Sequence, residues 1–286
     1  MAVGGILAFF RDIKIEHSIF ALPFALTAAI LAGGLTVPLV VKILLALLFA
    51  RTSGMAFNRL ADARIDARNP RTSGRALPSG RIRTAEYLVL FAVPTAGFVI
   101  VCATIRPICL ILSPVALLIV LGYSFTKRFT AATHFFLGLA LASAPIGAWI
   151  ALRGTLDPLP LLLGASVLFW TAGFDIIYAC LDHEFDRRAA IHSLPARIGI
   201  GPALRISAAC HVLSVVGLAA MTFLDDKLGI LSLVGVALVG ILLLYEHRIV
   251  RPDDLSRVGT AFFTINGIVS VLFFSAVALD VFVVRA

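Results

Sequence analysis

Charge is what this sequence has least of. Charged residues make up 14% of its 286 positions and hydrophobic residues 60%, whereas a soluble domain carries about 25% charged residues. Mean hydropathy is +1.02. A soluble two-domain protein of this length is thereby excluded, and a polytopic membrane protein is indicated. Cysteine is also scarce. Cys102, Cys109, Cys180 and Cys210 lack metal-ligand spacing and fall in apolar runs, so they read as small hydrophobes rather than disulfides or zinc ligands. Met1 to Leu7 has no basic region and no cleavage site, and no removable signal peptide is expected. Tryptophan is limited to Trp149 and Trp170. Both, with most Phe, are expected as interface belt or lipid-facing bulk.

The net charge of +8 lies between the apolar runs rather than in one patch, which argues against nucleic acid as a partner. Residues 8–18 read as an amphipathic interfacial segment. Apolar runs follow at about 19–34, 37–57, 86–105, 107–124, 132–152, 158–180, 203–224, 228–247 and 258–283. Each approaches the roughly 20 residues of a spanning helix. Arg106-Pro107 is the tightest join, and its proline helps end the preceding helix. The expected fold is all-α, with nine transmembrane helices around a central cavity in a single domain over 1–286. Cytoplasmic cap segments are expected at about 58–85, 125–131 and 181–202. Most Lys and Arg fall on one side of this arrangement. Only Lys42, Arg106, Arg153, Lys227 and Arg285 fall on the other. The positive-inside rule then puts the N-terminus and the caps in the cytoplasm and the C-terminus outside, in a bacterial inner membrane.

Two acidic ladders stand out. Asn58, Asp62 and Asp66 close the second apolar run at steps of four, which stacks their side chains on one helical face. Asp175, Tyr178, Asp182 and Asp186 close the sixth run at steps of three, four and four. The plainer reading is a solvated helix end paired with nearby Arg. Two such ladders at corresponding helix ends favour function over that reading. Carboxylate pairs suit hard divalent cations, and Mg²⁺ completes a small protein ligand set with water and substrate phosphate. The surrounding Arg and Lys suit an anionic partner such as diphosphate. A metal would neutralise the charge growing on a departing phosphate oxygen. If the rest of the substrate sits in an apolar chamber, it is a lipid. The combination points to an isoprenyl diphosphate that ionises to an allylic cation.

These residues resemble the UbiA superfamily of intramembrane prenyltransferases. Asn58-x3-Asp62-x3-Asp66, followed by Asn69-Pro70-Arg71-Thr72 and Arg75-Ala76-Leu77-Pro78-Ser79-Gly80, is similar to its first motif. Asp175-x2-Tyr178-Ala179-x2-Asp182-x3-Asp186 is similar to its second, and Tyr123-Ser-Phe-Thr-Lys127 to its Tyr-x3-Lys. The likeness covers nearly the whole chain. The run from Arg51 to Asp62 most resembles the 4-hydroxybenzoate polyprenyltransferase branch, and within it the menaquinone-route relatives with a naphthoate acceptor. The resemblance implies that Asn58, Asp62 and Asp66 hold one Mg²⁺ and Asp182 and Asp186 another, both on a polyprenyl diphosphate. Lys127 would contact that diphosphate, and Tyr178 and Asp175 would lie near the acceptor or the metal shell. The acceptor would be an aromatic acid in ubiquinone or menaquinone biosynthesis. Rival acceptors are a haem vinyl group, a chlorophyllide or a glycerol lipid. Arg59 departs from the family, standing where many members carry Asp, and so do Glu184 and Phe185.

Arg51 lies inside the second span, seven residues before Asn58. It is expected to face the cavity and bind an acceptor carboxylate, the bland alternative being a snorkelling arginine. Tyr123 joins the substrate-binding set with its motif. Arg71 and Arg75 would fold over the diphosphate, and Arg197 belongs to a loop, His192 to Arg197, that repeats a family segment. Solvated positive-inside charge accounts for these loop arginines equally well. His17 reads as an interfacial histidine, His183 as pointing away from the ladder, and Asn266 as bonding a neighbouring helix. Outside this enzyme class, the buried carboxylates would suit an ion-coupled transporter, whose sites usually lie near the midplane in broken helices. A structural or assembly subunit is the third class.

Overall fold

The computed structural model describes residues 3–14 and 18–284; His17 and Arg285 lie outside the described residues. The helices run α1 (Val3–Asp12), α2 (Leu22–Ala32), α3 (Val37–Asp66), α4 (Thr84–Ile105), α5 (Pro107–Thr126) and α6 (Thr133–Arg153). Then come α7 (Pro158–Ala179), α8 (His183–Arg188), α9 (Leu194–Ile198), α10 (Ile200–Leu224), α11 (Ile230–Ile249) and α12 (Asn266–Leu279). Among the described residues there is no strand, only an isolated bridge between Arg251 and Asp254. Among the described residues, eight helical stretches are long and apolar enough to cross a membrane. The expected first span is an apolar helix of 11 residues, α2. The protein is therefore an all-α, multi-pass integral membrane protein.

Two helix boundaries follow directly from local chemistry. α4 ends at Ile105, Arg106 is extended, and Pro107 opens α5, because proline excludes its predecessor from the helical region. α3 runs unbroken for 30 residues. Its apolar part, Val37–Phe57, accounts for about 31 Å at 1.5 Å per residue, close to the hydrocarbon thickness of a bilayer. Its last turns, which carry the first ladder, thus fall at the edge of the apolar layer.

The chain forms two compact units: Met1–Ser18 with Val37–Phe125, and Ile19–Thr36 with Thr126–Ala286. In the first, Phe9, Ile13, Ala56, Ala76, Ile82 and Tyr87 form a buried cluster. That cluster ties α1, α3, α4 and the 67–83 segment together. α4 and α5 leave residues such as Val93 and Leu118 exposed, as a surface bathed in lipid permits.

The second unit is built on α7, which packs along α6 and α10. Small residues set the spacing. A Cβ at Gly138 of α6 would overlap the Leu168 carbonyl of α7, and one at Gly173 of α7 would overlap the His211 ring of α10. Lipid tails are as apolar as the helices, so helix association in a bilayer depends on such close approach and on buried polar bonds. Here Asn266 Oδ1 accepts from Trp170 Nε1 at 2.6 Å, and its Nδ2 donates to Glu246 Oε1 at 3.0 Å. Asn266 bonds neighbouring helices as expected, whereas the two tryptophans do not face lipid. Trp170 is buried among Phe24 and Phe174, with centroids 5.0 and 4.9 Å away. Trp149 is also buried and donates to Asp157 at 2.8 Å. The Trp170 N–H has a buried partner, which removes its preference for the interface, while Trp149 bonds the half-buried acid that precedes α7.

Two of the charges expected on the far side serve helix ends. Lys42 donates to the Thr104 carbonyl and Lys227 to that of Leu31, both in last turns where carbonyls lack intrahelical partners. Buried Asp280 accepts from the backbone N–H groups of Gly229 and Ser232 at 2.9 and 2.6 Å. It thereby caps the start of α11 from the end of the last span.

The Gly138 contact is testable on one helix. Gly138→Ala should lower the apparent melting temperature in detergent, by overpacking worth about 1–3 kcal/mol. Gly147→Ala, where a Cβ meets nothing within 4 Å, should leave it unchanged or raise it slightly.

Candidate active site

The first ladder sits as expected on the last turns of α3. Asp62 and Asp66 are buried and Asn58 is half-buried. Asn58 Nδ2 donates to Asp62 Oδ2 at 3.0 Å and to Ser124 Oγ at 3.4 Å. Its Oδ1 accepts from Arg59 Nη1 at 2.9 Å. Asp66 Oδ2 pairs with Arg75 Nη1 at 2.6 Å, and the Asp66 carbonyl accepts from Thr72 Oγ1 at 3.1 Å. The 67–83 segment therefore folds back on the ladder through Arg75. Arg71 stays exposed, and its backbone N–H donates to Asn69 Oδ1 at 2.9 Å.

α1 has a role that sequence reasoning missed. The Asp12 carboxylate accepts from Tyr87 Oη at 2.8 Å and from the Ala76 N–H at 3.1 Å. It links α1 to α4 and to the residue beside Arg75. Its own carbonyl accepts from Arg59 Nε at 3.2 Å. Arg59, the departure from the family pattern, is thus a buried clamp between Asn58 and the end of α1. Arg51 donates to the carbonyls of Ile13 and Lys14. In this structure its guanidinium serves the C-terminal end of α1.

The second ladder is not one continuous α-helix. α7 ends at Ala179, Cys180–Asp182 form a 3₁₀ turn, and α8 starts at His183. The tighter winding changes the angular step, so Asp175 and Tyr178 belong to one helix, Asp182 to the turn and Asp186 to the next. The turn has no sequence marker, since Cys-Leu-Asp is compatible with either helix type. Asp186 is buried, and its Oδ2 accepts from Ser193 Oγ at 2.8 Å. Asp182, Lys127 and His134 lie near enough to act on Asp186 electrostatically. Asp175 Oδ2 lies 2.7 Å from Nδ1 of buried His134, another residue without a sequence signal. The Lys127 carbonyl accepts from the His192 N–H at 2.8 Å. Tyr178 stacks beside Phe262 at 4.3 Å, at the end of an aromatic series through Phe174 and Trp170. Arg197 is exposed in the last turn of α9. Tyr123 is half-buried on α5.

Among the described residues no group of three or more His, Cys, Asp or Glu gathers as a complete metal cage. The donor chemistry nevertheless fits Mg²⁺. Asn58, Asp62 and Asp66 offer an amide and two carboxylates, Asp182 and Asp186 offer two more, and every donor is oxygen. Mg²⁺ takes few protein ligands and fills its shell with water and phosphate. Asp66 and Asp186 each have one oxygen committed to Arg75 or Ser193 and a second to offer.

Fold and site together define a multi-pass membrane protein with oxygen-donor ladders at helix ends. Residues 21–268 match the UbiA prenyltransferase family. The chain belongs to that family and is a prenyltransferase. A 4-hydroxybenzoate octaprenyltransferase of Nitrosospira multiformis is 31% identical over 241 residues, which is 82% of this chain and 80% of that one. A UbiA homologue from Aeropyrum pernix K1, solved in its apo form, superposes with a TM-score of 0.85 at 33% identity and covers 93% of this chain and 98% of its own. A UbiA homologue from Archaeoglobus fulgidus, solved with GPP and Mg²⁺, shares the fold with a TM-score of 0.74 at 20% identity, over 96% of this chain and 99% of its own.

Asp12→Ala should strand the Tyr87 hydroxyl and the Ala76 N–H, at about 1–3 kcal/mol for each buried group left unsatisfied. The expected readout is a lower melting temperature together with faster proteolysis within residues 67–83. Asp12→Asn, which keeps an acceptor oxygen, should fall between the two.

Proposed function

We propose that the protein transfers a polyprenyl group from an isoprenyl diphosphate to an aromatic acid, 4-hydroxybenzoate or a hydroxynaphthoate, in ubiquinone or menaquinone biosynthesis. The observation that carries this reading is buried oxygen donors among basic residues: Asp66 is paired with Arg75, and Asp186 lies within electrostatic reach of Lys127. The octaprenyltransferase relative and the GPP- and Mg²⁺-bound homologue support it. In this proposal the site faces the cytoplasm across a bacterial inner membrane, as the basic inner loops suggest.

The chemistry divides among the named residues. Asn58, Asp62 and Asp66 on one ladder, and Asp182 and Asp186 on the other, would hold Mg²⁺. When bound, Mg²⁺ neutralises charge on the phosphate oxygens. Arg71, Arg75, Lys127 and Arg197 would bind the diphosphate as it leaves with the electron pair of the C1–O bond. Arg75 must then exchange Asp66 for phosphate, which a guanidinium does at little geometric loss. An aromatic carbon of the acceptor forms the new bond to C1, and the ring proton departs to a base. Asp175, Tyr178 and Tyr123 serve the acceptor side. Arg51, whose Nη2 holds the carbonyls of Ile13 and Lys14, would bind the acceptor carboxylate. The aromatic faces around Tyr178 and Phe262 would stabilise a passing allylic cation. An open apolar groove of about 440 Å³, lined by Ile19, Thr264, Gly267, Ile268, Val271 and Leu272, offers the prenyl chain a place beside α12.

Purified protein in nanodiscs, with Mg²⁺, a radiolabelled prenyl diphosphate and a panel of aromatic acids, tests this directly. A lipid-soluble product with an aromatic acid is expected, and EDTA should abolish it. Absence of product with every acceptor would overturn the reading. Asp62→Ala and Asp182→Ala should each cut turnover by more than about 100-fold, beyond the loss seen for residues that only support a metal ligand. Their size-exclusion profiles should match the parent.

A further inference from the structure

His134 stands at the start of α6 with 2% of its surface exposed. Its Nδ1 lies 2.7 Å from Asp175 Oδ2, and its Nε2 accepts from the Leu194 backbone N–H at 3.3 Å. A backbone N–H can only donate, so Nε2 must carry the lone pair. The proton of the neutral ring then sits on Nδ1 and is donated to Asp175. One imidazole thus joins the first carboxylate of the second ladder to the turn before α9.

The same turn reaches the ladder's other end. Ser193, next to Leu194, donates to Asp186 Oδ2 at 2.8 Å, and His192 donates to the Lys127 carbonyl at 2.8 Å. Three consecutive residues therefore contact Lys127, Asp186 and the His134–Asp175 pair. Asp175 keeps 23% of its side chain exposed, so the carboxylate is held on one side and open on the other.

We propose that His134 is a positioning residue for prenyl transfer. It fixes Asp175 in one orientation toward the acceptor and couples that orientation, through the Ser193–Leu194 turn, to Asp186. This rests on reading the second ladder as part of the active site. The aromatic acceptor, with a hydroxyl to donate, is the substrate whose placement depends on it.

Two variants separate the two bonds. In His134→Asn the amide nitrogen stands where Nδ1 was and can still donate to Asp175. In His134→Gln the amide oxygen reaches the Nε2 position, so the Leu194 bond survives and the Asp175 bond is lost. His134→Gln should raise KM for the acceptor or lower kcat by about 10–100-fold, the range for residues that orient a functional ligand. KM for the prenyl diphosphate should stay within about twofold, and His134→Asn should recover most of the loss. Combined with Asp175→Asn, His134→Gln should add little, because the two act as one unit. Equal losses in both variants, or an additive double variant, would overturn the proposal. A measurement independent of turnover is ¹⁵N-histidine NMR of the parent protein, with the His134 signal among six histidines identified by its absence in His134→Gln. An Nδ1–H tautomer is expected, and an Nε2–H tautomer would overturn the proposal even if no acceptor is ever found. Failure of every acceptor with an Nδ1–H ring would instead count against the proposed reaction alone.

Discussion

A carboxylate at the inner end of a membrane helix must be matched by donors or cations, and this requirement organises the polar part of the molecule. An unpaired charge in an apolar setting costs several kcal/mol even after relaxation. Four acids of the two ladders show how. Asp62 takes the Asn58 amide, Asp66 the Arg75 guanidinium, Asp175 the His134 ring and Asp186 the Ser193 hydroxyl. These partners lie within one turn in the first case and on loops or other helices in the rest. The segments between the spans are therefore folded by the ladders they cover. Asp12 extends the same logic, since it anchors the residue next to Arg75.

The apolar part follows a different rule. α4 and α5 present large aliphatic side chains outward, which in a bilayer carries no penalty. Specificity comes instead from glycines at helix crossings and from polar bonds such as Trp170–Asn266–Glu246. The two rules meet on α7, whose C-terminal half packs an aromatic cluster and whose end delivers Asp175 and Tyr178. The same backbone thus carries an apolar, aromatic face along its length and polar side chains at its end.

Features that depend on neighbours along the chain were legible in the sequence. The start of α3, its ladder at steps of four, and the Arg106-Pro107 break are local in origin, and the spans lie within a few residues of the expected runs, except that α3 continues past its expected end at 57 to Asp66. The three motifs also pointed to the family that residues 21–268 match. What stayed hidden depends on distant partners. Asp12 meets Tyr87, and His134 meets Asp175, across separations of 75 and 41 residues. No periodicity reports such a pairing. Trp149 and Trp170 read as interface residues because composition cannot show that Asp157 and Asn266 wait for their indoles. The 3₁₀ turn at Cys180–Asp182, which interrupts the α-helix that carries the second ladder, stayed hidden for a similar reason: its residues fit either winding.

The most direct measurement is calorimetric titration of a non-ionising prenyl thiodiphosphate into the protein, with Mg²⁺ and with EDTA. The parent is compared with Asp62→Asn on one ladder and Asp186→Asn on the other. If both ladders grip one magnesium-bound diphosphate, each variant loses affinity by about tenfold or more, the range for disturbed metal ligation, and the differences vanish in EDTA. Full affinity in Mg²⁺ for either variant would contradict a diphosphate shared by the two ladders.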